Sequence, residues 1–407
     1  NDSDFASVAQ NDNQAATAGA VESLGSGNAI YNAVVVLDDD SASDAFQQLS
    51  GEVYSSSVSA SVNNNRLVRT LGVNRIRNAF GSTGVTAGGN TVALGSGGAS
   101  GASGALAYGE EKSRVKTAAE KAAESILVDH AVSGPVAWAE GYGGWGKSYG
   151  ENGNADLSNA IGGVAFGIDT ALGDTTWRLG IMGGYGHATF ELSDGLSSGE
   201  SDDFDIGIYG GNQWGPVALR FGALYKRQQV STERTVDFTG FTDDLSADYG
   251  TNSVQGYVEL GYEAKLADFR LEPFANLAQL YMHTPAFTEE GGAAALSRAA
   301  SDMNVTLTSL GLRAATDLEI AGVATVLRGA ASWQHAFGDT DTLSTLSFAG
   351  GNDFVTSSKT IAPNSLGVEA GLDFTVGQAS TVSVLYDGNF SSSGKGQTVR
   401  VNFARQF

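Results

Sequence analysis

From about Val136 to Phe407, apolar and polar positions alternate with a period of two. Phe204, Ile206 and Ile208 fall on one side of a strand, with Asp205 and Gly207 on the other. Val217, Leu219, Phe221, Ala223 and Tyr225 oppose Arg220, Gly222 and Lys226. Val254, Val258, Leu260 and Tyr262 oppose Gln255, Glu259 and Glu263, and Val368, Ala370, Leu372, Phe374 and Val376 oppose Glu369 and Asp373. A strand points successive side chains to opposite faces, so each segment has one greasy face and one charged face. Tight junctions separate these segments at Gly173–Thr176, Trp214–Val217, Ala267–Phe269, Ile320–Val323 and Gly377–Ser380. Longer polar connections fall between them near 148–161, 193–201, 232–247, 284–302, 338–364 and 391–396. Short turns at one end and long loops at the other are the layout of a transmembrane β-barrel of the outer-membrane type.

Counting segments predicts twelve antiparallel strands, an even number, as closure with both termini on one side requires. A soluble β-sandwich also alternates, but it hides its apolar faces and needs no charged interior. Glycine content, segments of roughly ten residues and the turn asymmetry favour the barrel. Its inner wall is then expected to carry Glu140, Arg178, Arg220, Lys226, Glu259, Glu263, Arg328, Glu369, Asp373 and Arg400.

Upstream of the alternation the pattern changes. Residues 1–80 read as a partly helical segment, with apolar stretches at Ala15–Leu24 and Ala29–Leu37 and a helix opening at Ser43–Leu49. Residues 81–105 are Gly, Ser and Ala with almost no charge, a linker composition. Within 106–135, Val115, Ala118, Ala119, Ala122, Ala123, Ile126 and Leu127 follow the spacing of one helix face. A helix over Glu110–Val128 would be about 28 Å long, close to the hydrocarbon thickness of a bilayer. The spacing therefore predicts a pore helix here, with Val115, Ala119, Ala122, Ala123 and Ile126 against the wall and residues 1–105 outside the cell. The barrel itself is assigned to 136–407.

Composition narrows the alternatives. The net charge is −22, which argues against nucleic acid as a partner, because phosphate binding needs clustered Lys and Arg. There is no cysteine, so disulfide frameworks, thiolate metal sites and cysteine catalysis are excluded. The 407 residues contain no run of about 20 apolar residues, so no helix of that kind spans a bilayer. The chain begins at Asn1 without a basic-then-apolar leader, as expected of a mature fragment.

The last residues, Val399, Arg400, Val401, Asn402, Phe403, Ala404, Arg405, Gln406 and Phe407, resemble the C-terminal signal read by the outer-membrane barrel-assembly machinery. Val399, Val401, Phe403 and Phe407 match that pattern, and Arg405 departs from it. Val136–Gly143, Trp177–Gly180, Leu271–Leu277, Glu289–Ala294 and Ala331–Gly338 resemble the autotransporter β-domain. Asn13-Gln14 and Ala45–Glu52 look like the segment that joins many passengers to such a barrel. The resemblance implies a twelve-stranded barrel with a helix in its pore. It also implies export of the preceding passenger to the cell surface by type V secretion. Outer-membrane lipid, the assembly machinery, periplasmic chaperones and the chain's own passenger are the implied partners of a monomer without cofactor or metal.

Catalytic patterns are weak. Gly195-Leu196-Ser197-Ser198-Gly199 matches the nucleophile-elbow string, but it falls in a polar loop between strands, where an elbow needs a helix after it. His187, His283 and His335 are expected near the loop ends of three strands, with no spacing that pairs them with a carboxylate. Asn63-Asn64-Asn65 reads as a solvated polar run, although some autotransporters are cleaved at an Asn pair inside the barrel. The expectation is no enzyme. A passive porin and a hydrolase active at the barrel rim are the competing functions.

Overall fold

The computed structural model describes residues 4–81 and 134–407, apart from 151–153, 174, 360 and 378. The linker at 82–105 and the helix expected within 106–133, with Val115, Ala119, Ala122, Ala123 and Ile126, lie outside the described residues.

Seventeen β segments follow the helical N-terminal region: β1 (Val136–Ser148), β2 (Leu157–Ala171), β3 (Arg178–Leu192), β4 (Ser197–Trp214), β5 (Val217–Phe238), β6 (Phe241–Tyr262), β7 (Ala264–Leu266), β8 (Phe269–Thr284), β9 (Phe287–Thr288), β10 (Leu296–Arg298), β11 (Ser301–Ile320), β12 (Val323–Gly338), β13 (Asp341–Phe348), β14 (Phe354–Lys359), β15 (Asn364–Val376), β16 (Ser380–Ser391) and β17 (Gly394–Gln406). Twelve of them close a ring in chain order. β8 pairs with β11, and β17 returns to β1 in antiparallel register from Val136↔Gln406 to Ser148↔Gly394. The wall is the expected twelve-stranded barrel. Its apolar faces point out: Ile181, Ile206, Ile208, Val254, Leu260, Leu312 and Val401 are all exposed. Such a surface needs lipid around it.

All five tight junctions are turns at one end of the barrel, called here the turn end. Positive φ at Gly173, Gly215, Ala267, Ala321, Gly322 and Gly377 makes them possible. Chain ends Val136 and Phe407 lie at the same end, where the Phe407 amide donates to the Pro135 carbonyl. Arg405 points outward beside Phe407, its guanidinium 5.8 Å from the ring centroid.

The long connections differ from expectation, because much of their length is strand. β5 and β6 run into 232–247 and meet at a turn at Thr239-Gly240, and β9, β10, β13 and β14 form a separate four-stranded sheet inside 284–302 and 338–364. Polar residues interspersed on the buried face, such as Thr232, Arg234, Thr342 and Ser344, break the alternation that a hydropathy pattern reads, yet the backbone groups still pair across the ladder. The elbow-like string sits on a turn at Gly195 that leads into β4, with no helix after it.

Among the described residues four α-helices precede the barrel: α1 (Asp12–Leu24), α2 (Ala29–Val34), α3 (Asp39–Leu49) and α4 (Glu52–Phe80). Asn11, Asn28 and Asp38 cap the first three by accepting backbone N–H bonds, a role their short polar side chains favour. That bond holds the Asp38 carboxyl below its usual value. Helices α1–α3 pack over the loop end. Val21, Ile30, Phe46 and Leu49 join Phe190, Val236, Leu296 and Phe348 in one buried cluster. Gly51, at φ 61°, turns the chain from α3 into α4. A Cβ there would come within 2.6 Å of Leu296 Cδ1, so only glycine fits the bend without displacing the cap.

Candidate functional site

The lumen is occupied by α4, which the sequence reading left inside the N-terminal segment 1–80. Its 29 residues span about 43 Å. Nearly every residue is buried, although the helix has no broad apolar stripe. It enters at the loop end, where Tyr54 Oη donates to Glu289 Oε1 at 2.6 Å and Ala155 N donates to Glu52 Oε1 at 3.1 Å. Burial raises the Glu52 carboxyl to about 7, against the pull of its two donors, Gln47 Nε2 and Ala155 N. The helix ends near the turn end, where Arg77 meets Glu369 at 2.7 Å and Arg328 donates to Asn78 Oδ1 at 2.8 Å.

Between these ends a ladder of polar contacts ties helix to wall. Asn64 Nδ2 donates to Asp203 Oδ2 at 3.4 Å, and Lys226 and Gln228 donate to the same carboxylate. Ser253 donates to Asn65 Oδ1, and Arg69 donates to Gln255 Oε1 at 2.7 Å. Arg75 grips Asp169 through two N–H bonds of 2.6 and 2.9 Å. Asp169 also receives Arg178 and Tyr209 Oη, and Trp138 Nε1 donates to that hydroxyl at 2.6 Å. Charges this deep persist because each has a charged or hydrogen-bonding partner. Asn63-Asn64-Asn65 is thus part of the lumenal helix, with Asn64 and Asn65 buried, rather than a solvated run.

The sequence-expected wall residues divide as follows. Glu140, Arg178, Arg220, Lys226, Glu259, Arg328, Glu369, Asp373 and Arg400 lie on the inner face, buried or nearly so. Glu263 stands in the turn after β6, where it accepts from Gln213 Nε2 at 3.0 Å. Arg220 and Arg313 bridge Glu259 and Glu272, Arg400 meets Glu140 at 3.2 Å and Asp387 at 2.7 Å, and Arg328 meets Asp373 at 3.3 Å. Glu272, Arg313, Asp169, Asp203 and Asp387 were missed, although each falls at an inward position of an alternating segment and period-two reading would have found them.

Pockets remain beside α4. One of about 150 Å³ lies near Asn63, Arg66, Asn159 and Lys395, and one of about 110 Å³ near Arg69, Glu259 and Asp387. Both are on the scale of a few side chains. With the helix in place the described lumen holds one chain, and passage of a second requires α4 to leave.

Histidines 187, 283 and 335 stand on the outer face of three separate hairpins. His187 contacts Asp202 at 3.1 Å and His283 contacts Asp302 at 2.7 Å, so cross-strand carboxylates do partner two of them, which linear spacing concealed. His335 contacts Asn364 Oδ1 at 2.8 Å. No two of them share a partner, so a single rim hydrolase site is not assembled from them.

Residues 137–387 match the family model described as the autotransporter β-domain. Two proteins of Serratia marcescens described as extracellular serine proteases are each 29% identical over 89% of this chain, and the chain spans 31% of their length. Among solved structures, the translocator domain of the autotransporter NalP from Neisseria meningitidis is similar at a TM-score of 0.55 and 18% identity, over 70% of this chain and 93% of that one. The transport unit of AIDA-I from Escherichia coli gives a TM-score of 0.54 at 15% identity, over 69% and 92%. The β-domain of the Bordetella autotransporter BrkA gives 0.51 at 17% identity, over 68% and 100%.

Proposed function

The chain belongs to the autotransporter β-domain family, and from that premise we propose that its barrel carries an N-terminal passenger across the outer membrane and is then closed by α4. The observation that carries this reading is the direction of α4. The helix runs from the loop end to the turn end, with the chain before it packed at the loop end. A passenger joined ahead of α1 would therefore emerge beside the loops. The turn end faces the periplasm, because both ends of the barrel wall lie there and the strand count is even. Residues 4–50 then lie at the cell surface. The charged wall residues hold α4 and have no catalytic part. Val399, Val401, Phe403 and Phe407 serve insertion by the assembly machinery, after periplasmic chaperones have escorted the unfolded chain. The barrel works as a monomer without cofactor. The names of the two Serratia relatives favour a secreted serine protease as the cargo class.

A passive porin shares the wall but has no use for a helix anchored by buried ion pairs. Single cysteines test the orientation on intact cells. Ser41→Cys in α3 is expected to react with a membrane-impermeant maleimide, and Asp268→Cys in a short turn to react only after the outer membrane is permeabilised. The reverse pattern would overturn the proposed direction of export.

A further inference from the structure

A repeated side-chain group encircles the outer face near the loop end. Five of the six strands that rise toward the loops carry an aromatic ring and, two residues on, a nitrogen-bearing side chain: Trp145 and Lys147, Tyr185 and His187, Tyr225 and Arg227, Tyr281 and His283, Trp333 and His335. Residues two apart share a strand face, and here that face is the outer one. The rings are exposed, and they stand roughly ten residues beyond the strand starts, the length that carries a tilted strand across hydrocarbon.

Each pair meets an acceptor on the next strand or just before it. Lys147 Nζ reaches Asp156 at 2.8 Å. In the other four groups one oxygen serves both members. Asp202 Oδ1 takes Tyr185 at 2.6 Å and His187 at 3.1 Å. Asn252 Oδ1 takes Tyr225 at 2.8 Å and Arg227 at 3.0 Å. Asp302 Oδ1 takes Tyr281 at 2.6 Å and His283 at 2.7 Å. Asn364 Oδ1 takes Trp333 Nε1 at 3.0 Å and His335 at 2.8 Å. β16 keeps an exposed ring, Phe390, with Ser392 where the nitrogen would be.

An aromatic belt alone needs only a membrane interface. This belt adds fixed donors and fixed carboxylates side by side. Lys147 has three N–H groups and Arg227 five, more than their single acceptors use. Below the belt, Ile181, Val258, Leu277 and Leu327 are exposed and apolar, so the polar groups sit where hydrocarbon gives way to headgroups. A headgroup of phosphate alone would satisfy the cations and be repelled by Asp156, Asp202, Glu200 and Asp302. A headgroup carrying both phosphate and sugar hydroxyls satisfies both sets. Phosphates accept from Lys147 and Arg227, hydroxyls donate to the carboxylates, and sugar C–H faces lie on the rings. The geometry points to a girdle that docks the phosphorylated sugar headgroups of the glycolipid in the leaflet at the loop end. It rests on the orientation proposed above, and the cysteine labelling tests that orientation independently.

The test uses the purified full chain in phosphatidylcholine vesicles containing lipid A, a bisphosphorylated and acylated glucosamine disaccharide. Parallel vesicles contain phosphatidylglycerol or dephosphorylated lipid A. Binding of a fluorescent lipid A is compared between the wild type and a variant carrying Lys147→Ser, His187→Ser, Arg227→Ser, His283→Ser and His335→Ser. Heat-modifiable gel migration reports whether each protein is folded. The expected result is about tenfold weaker binding by the variant, and similar weakening for wild type with dephosphorylated lipid A. If the fivefold variant does not fold, Arg227→Ser and Lys147→Ser are tested singly, each with an expected loss of about threefold. A folded variant that binds lipid A within about twofold of wild type overturns the proposal. So does equal binding of phosphatidylglycerol, which would make the girdle a generic anionic-lipid surface.

Discussion

The two halves of α4 are held by different means. From Ser55 to Ser61 the helix is mostly Ser and Ala, and its contacts are hydroxyls and close packing: Ser57 with Tyr249 at 3.2 Å, Ser56 with Ser358 at 3.3 Å, and Thr342 donating to the Ser55 carbonyl at 2.8 Å. From Arg66 to Arg77 it carries four arginines, three of which contact wall groups at 2.6 to 2.7 Å. Neutral hydrogen bonds each contribute about 1 kcal/mol, whereas removing one partner of a buried ion pair costs about 3–5 kcal/mol. The upper half is therefore the part that can slide or fray, and the lower half is the anchor. On the proposed export route α4 enters after the passenger, and an anchor in its lower half suits a plug that then stays.

The strongest challenge to this contrast is at Asp169. Asp169→Ala leaves Arg75 and Arg178 buried together without their shared carboxylate. The expected cost is about 3–5 kcal/mol, seen in planar bilayers as frequent opening of a channel that the wild type keeps shut. A quiet channel would show that charge is not the anchor. The same assay sharpens the comparison at Gly72, inside the arginine-bearing half, where the helix packs closely on the wall. A Cβ there would stand 2.4 Å from Tyr257 Oη. Gly72→Ala is expected to destabilise docking by about 1–3 kcal/mol, and Tyr257→Phe in the same chain to restore much of it. Failure of the second substitution to rescue would mean that the first acts elsewhere.

The smallest effect belongs to the upper end. Glu52 has its carboxyl raised to about 7 by burial. A raised carboxyl favours the protonated folded state, so its contribution is complete below the ordinary carboxylate range and is lost as pH rises through about 7. Limited proteolysis of residues 4–50 is expected to quicken between about pH 5 and 7 in the wild type, with little further change above that, and to stay level in Glu52→Gln. An identical rise in both proteins would assign the pH response to another group.

The contrast also explains what could be read from sequence. The barrel was legible because lipid and lumen impose opposite demands on alternate residues, as in Phe204-Asp205-Ile206, and because turns such as Ala321-Gly322 need backbone that few residues supply. The lumenal helix was not. Amphipathic templates assume an apolar partner, which α4 does not have. The partner of α4 is a charged wall, so the sequence that fits it shows hydroxyls, amides and arginines almost all round. Arg75 and Arg77 look solvated in the sequence and are buried in the fold. The cross-strand partners of His187 and His283 were equally hidden, because register brings together residues that no short spacing connects.

The arginines of α4 do more than grip. They cancel negative charge on the wall, Arg75 at Asp169 and Arg77 at Glu369. Withdrawal of the helix takes away its share of that cancellation as it opens the bore, leaving Asp169 to Arg178 and Glu369 to Arg400. The vacated lumen then behaves as a fixed-charge membrane, enriching small cations and excluding anions by Donnan equilibrium. Stopper and neutraliser are one segment, so this barrel cannot be unplugged without also becoming selective.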